Sequence, residues 1–116
     1  MESILTSIKE LLGIRGECTD FDGQLIIHIN TVLAVLTQLG VGPSDGFYIE
    51  DASALWEDFI ENQAKWQAAK SYTYLKVRLI FDPPISAAAI ESMNRQISEY
   101  EWRLCVMADS TENVTQ

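Results

Sequence analysis

Apolar residues recur at helical spacing almost from end to end of this sequence, and only three clusters of glycine or proline interrupt them. The interruptions fall at Gly13 to Gly16, Gly40 to Gly46, and Asp82-Pro83-Pro84. No segment alternates apolar and polar residues for long enough to make a convincing strand. The expected fold is therefore all-α: a small bundle of four to five helices with one longer connecting loop and a polar C-terminal tail. Residues 1–107 form a single helical domain, and 108–116 form a polar, flexible tail.

Local signals place the elements. Ile4, Leu5, Ile8, Leu11 and Leu12 share one face of a first helix, with Ser3 as cap and Gly13 as stop. A second helix begins after Asp20 or Asp22 and ends at Leu39, its stripe formed by Leu25, Ile29, Val32, Leu36 and Leu39, with Gly40 as its C′ residue. Residues 40–52 are the long connection. Ser53 opens a short helix through Ile60, a fourth helix covers Gln63 to Phe81, and Ser86 caps a last helix that runs to about Met107. The fourth must stop near Phe81, because a residue preceding proline is pushed out of the α region.

The fourth helix is apolar on two sides. Ala64, Ala68, Tyr72, Leu75 and Leu79 line one, and Trp66, Thr73, Val77 and Ile80 the other, with Tyr74 and Phe81 at its edge. Such a helix needs two neighbours, either as the centre of a small bundle or with its aromatic side completed by another subunit. The last helix buries Ile90, Met93, Ile97, Tyr100, Leu104 and Met107, while Glu91, Arg95, Glu99 and Arg103 form a solvated ladder. Trp102 falls on that charged side, either covered by arginine stems or serving as an interface anchor. Glu101 lies at the edge of the apolar stripe and calls for a cation, with Lys76 or Arg78 within reach.

With 116 residues and a net charge of -9, general duplex-DNA binding is disfavoured, since its affinity comes from neutralising phosphates. Half of the basic residues, Lys65, Lys70, Lys76 and Arg78, lie in the fourth helix, and acids gather at Glu50, Asp51, Glu57, Asp58 and Glu61. Mutual pairing of these two groups, within or between subunits, is the simplest account. The N-terminus reads as an amphipathic helix rather than a signal peptide, and the apolar run from Leu25 to Leu39 is too short and polar to span a membrane. Cys18 and Cys105 are distant and form no CxxC. His28 is the single histidine, and pairs such as Glu57 with Glu61 have no His or Cys beside them. Gly40-Val41-Gly42 follows a helix rather than a strand, so it is no nucleotide loop. No catalytic residue, cofactor or metal is expected, and the protein is read as a non-enzyme.

Phe21-Asp22 leads into Leu25-Ile26-Ile27-His28-Ile29-Asn30, followed by Gln38-Leu39-Gly40-Val41-Gly42-Pro43. Trp56 and Phe59, the run from Tyr72 to Pro84, and Glu101-Trp102-Arg103-Leu104 continue the pattern. In order and spacing this resembles the small head–tail connector (adaptor or head-completion) proteins of long-tailed bacteriophages. The resemblance implies a structural virion protein, assembled in the bacterial host cytoplasm, that forms a ring between the portal protein and the tail or stopper protein. A ring of about twelve copies would match the portal's symmetry, with heterologous contacts that close by rotation. It would extend a channel through which DNA passes without specific binding, with no membrane involved. Family members also tend to have a segment that orders on assembly, for which 40–52 and 108–116 are the candidates. Interface candidates are Trp66, Tyr74 and Trp102, with Lys70, Lys76, Arg78, Glu57 and Glu61. The alternative is a soluble phage-encoded binding or regulatory module acting on another protein.

Overall fold

In a computed structural model, residues 2–115 are described, with side chains described over 2–108. The described residues form five helices and no strand: α1 (Ile4–Leu11), α2 (Asp22–Gln38), α3 (Trp56–Phe59), α4 (Gln63–Phe81) and α5 (Ala87–Thr115). The all-α bundle is what the apolar periodicity predicts.

The glycine stops work as their chemistry dictates. Gly40 adopts φ +88°, its N–H bonds to the Thr37 carbonyl, and the Val41 N–H reaches back to Leu36 at 2.9 Å. Those two bonds make a Schellman motif, closed by the buried Val41 side chain. Gly13 and Ile14 repeat the motif on the carbonyls of Glu10 and Lys9 at the end of α1. At the helix starts, Ser3 accepts from the Thr6 N–H and Ser86 from the Ala89 N–H.

Two boundaries differ from expectation. The helix expected over Ser53 to Ile60 is confined to Trp56–Phe59. Residues 54–55 are instead held extended against the start of the chain: the Ile4 N–H bonds to Ala54 O and the Trp56 N–H to Glu2 O, and Ser3 pairs with Leu55 in an isolated antiparallel bridge. At the other end, α5 keeps helical backbone to Thr115, past Met107. The segment Ala-Asp-Ser-Thr-Glu-Asn-Val contains no glycine or proline to stop it. Beyond Ala108 the side chains of the expected tail lie outside the described residues.

α4 packs against each of the other four helices, which accounts for its two apolar sides. Tyr72 and Leu75 are buried on one, Trp66, Ala69, Thr73 and Val77 on the other. Ala64 and Ile80, counted with those sides from spacing, are exposed near the two ends of the helix. Trp56 sits fully buried beneath α1, its indole N–H donating to the Ser7 hydroxyl at 2.8 Å.

The connection at 40–52 is exposed over most of its length but pinned to the subunit at a few points. Asn30 of α2 holds it with both ends of its amide, accepting from the Ile49 N–H at 2.7 Å and donating to the Ile49 carbonyl at 3.0 Å. Val41 and Ile49 are buried, and Phe47 meets Phe59 with ring centres 5.3 Å apart.

Candidate interaction surface

The three aromatic candidates fall in three different environments. Trp66 is only 5% exposed, its ring already covered by its own chain, with the Lys70 ammonium 6.0 Å from the ring centre. Tyr74 is half-buried, and its hydroxyl accepts from the Arg78 guanidinium at 2.9 Å, one helical turn away. Trp102 is 68% exposed on the outer face of α5. Val106, one turn further on, is exposed as well, so the two make a short apolar strip. The arginine beside them, Arg103, is turned to Glu99 in an ion pair along the helix.

Three of the basic residues of α4, Lys70, Lys76 and Arg78, find partners other than the acidic cluster. Lys70 forms an ion pair with Glu2 at 2.7 Å. Lys76 lies over the Tyr72 ring at 5.7 Å, close enough for a cation–π attraction. Glu101, expected beside Lys76 or Arg78, accepts instead from the Tyr72 hydroxyl at 2.7 Å. Burial of Tyr72, reinforced by the hydrogen bond and negative charge of Glu101, pushes the phenol pKa well above its usual value.

The acids engage backbone. Asp58 accepts from the Leu55 N–H at 3.0 Å, and Asp51 from both the N–H and the hydroxyl of Ser53. The Ser53 hydroxyl and N–H hold the Asp51 carboxyl below its ordinary range. Main-chain N–H groups of Glu57 itself and of Glu2 do the same for Glu57. Glu61 is exposed just before α4. The charge is more lopsided than any single cluster suggests. Between Arg15 and Lys65 there are nine acids and no lysine or arginine, so that stretch alone accounts for the net charge of -9.

Lys9 is a buried group that periodicity does not reveal. It is 3% exposed, donates to the carbonyls of Gly16 and Cys18, and pairs with Asp22 at 2.9 Å. It thereby ties the end of α1 to the start of α2. The one available signal was an Asp at the head of the next helix, a weak cue without the intervening turn. Cys18 and Cys105 are free thiols. Among the described residues, no three His, Cys, Asp or Glu side chains come together as a metal site. No helix there is long and apolar enough to cross a membrane.

The arrangement offers surfaces for contact: an exposed tryptophan strip on α5, and acids gathered in the turn before α2 and along residues 45–61, with α4 packed against every other helix. A family model described as phage connector protein matches residues 4–111. No curated protein and no solved structure matches the chain.

Proposed function

Because this chain belongs to the phage connector protein family, we propose that it forms a ring between the portal and the tail or stopper, extending the DNA channel of the particle. The observation that carries this reading is Trp102: a tryptophan left 68% exposed on the outer face of α5, while Trp56 and Trp66 are buried. Exposed tryptophans of this kind are characteristic anchors of protein interfaces. In the ring, Trp102 and Val106 contact a neighbouring copy or the portal, while Tyr74, Lys70, Lys76 and Arg78 stiffen α4 behind that face. Glu57 and Glu61 belong to the acidic stretch, whose charge discourages DNA from adhering as it passes. Assembly takes place in the host cytoplasm and the product resides in the virion. A ring of about twelve copies, set by heterologous contacts that close on themselves, suits the portal's symmetry.

The test is the protein's copy number in purified particles, by quantitative mass spectrometry against the portal protein. A ratio near one to one supports the ring. Absence from particles overturns it in favour of a soluble phage-encoded factor acting on another protein.

A further inference from the structure

Four helix ends meet at one end of the bundle. Lys9 near the end of α1 is bound to Asp22 at the start of α2. Phe21 stands edge-on to Phe81 at the end of α4, with centres 5.3 Å apart, and a short turn leads from there into α5. Leu11, Phe21, Ile80 and Ile85 are all exposed at this end, half of the large exposed apolar side chains among the described residues. Ile85 is fully exposed. The chain segments that carry them also carry the exposed acids Glu10, Glu17, Asp20 and Asp82, against Arg15 alone. An apolar centre inside a charged rim is how a docking patch is built.

We infer that this end of the bundle docks onto a different protein, one presenting an apolar surface rimmed by lysine or arginine. Charge complementarity selects that occupant over a second copy of this chain. Lys9, Lys70 and Arg103 are ion-paired, Lys76 lies over Tyr72, Arg78 is bonded to Tyr74, and Lys65 is half-buried. That leaves Arg15, within the patch itself, and Arg95 on α5. A copy of this chain therefore has little positive charge to place against four carboxylates. The inference rests on the connector reading and adds to it a surface, separate from Trp102, with a partner of stated chemistry.

The experiment uses DNA-filled heads from a phage deleted for this gene, incubated with purified full-length protein and sedimented. Ile85→Lys and Ile85→Asp are compared with wild type, and helical circular dichroism confirms that each is folded. Both substitutions remove the same apolar side chain, so the difference between them reads the charge of the partner's rim. Ile85→Lys is expected to bind at least about tenfold more weakly than Ile85→Asp, with the sedimentation of the free protein unchanged. Wild-type binding by both variants overturns the docking surface, and equal losses overturn the basic rim. A change in self-association with head binding intact assigns the patch to a second copy and also overturns the inference. Failure of wild type to bind heads overturns the connector reading and this inference with it. Failure of the variants alone to behave as stated leaves the connector reading standing.

Discussion

The Tyr72 hydroxyl on α4 donates to the Glu101 carboxylate on α5 at 2.7 Å, joining the two longest helices by a bond that neither helix could satisfy alone. Tyr72→Phe removes the donor and leaves the half-buried carboxylate without it. The expected loss is about 1–3 kcal/mol in urea unfolding. The bond also gives a pH signature. Because the phenol pKa is raised in the folded protein, the neutral form is favoured there and its stabilisation is complete below the ordinary tyrosine value of 10.0. As pH rises above that value the unfolded chain loses its proton first, and stability falls. Melting temperatures between pH 8 and 11 should drop more steeply in wild type than in Tyr72→Phe; parallel curves would refute the assignment.

Asn30 serves as a two-point clamp on Ile49. Asn30→Ala should release residues 42–49 while sparing the helices. Hydrogen exchange at the Ile49 amide, slow in wild type, should accelerate by at least about tenfold without a matching change at buried amides of α4.

Gly13 and Gly42 both have positive φ, but their surroundings differ. A methyl group on Gly13 meets open space, whereas one on Gly42 runs into the Phe59 ring. Gly13→Ala should cost about 1–2 kcal/mol, the left-handed penalty alone. Gly42→Ala should cost at least about 1 kcal/mol more, because Phe59 is buried and must shift. Equal midpoints in a denaturant titration would show that the ring yields freely.

Trp66 and Trp102 separate packing from contact. Trp66→Ala should destabilise by about 3–5 kcal/mol through the cavity it opens. Trp102→Ala should stay within about 0.5 kcal/mol of wild type, while its incorporation into particles in a complementation assay falls sharply. A Trp102→Ala protein that incorporates normally removes this residue from the interface.

Features encoded by neighbouring residues were legible in the sequence, and features encoded by packing were not. The range of α4, the glycine stops after α1 and α2, and the buried stripe of Met93, Ile97 and Leu104 all follow from spacing and backbone chemistry. The short α3 was misread because its upstream residues are claimed by Glu2 and Ile4, fifty positions away. Lys9 is counted as a surface charge by any periodicity argument, yet three acceptors from the next turn draw it inside. Glu101 was assigned a cation because a carboxylate at an apolar edge needs compensation, and a phenol supplies it equally well. Among the aromatics, helical spacing put Trp66 on an apolar side and Trp102 on a charged one, which matches their burial. Which of them meets a partner is a question about surfaces, and spacing within one chain does not address it.

The contact of α4 with every other helix has a consequence for how particles can be built. A chain missing residues 63–81 loses the helix that all the others pack against and keeps little between helices beyond the contact of α1 with α2. Folding must then be close to all-or-none, and the subunit reaches its place in a particle as a finished part.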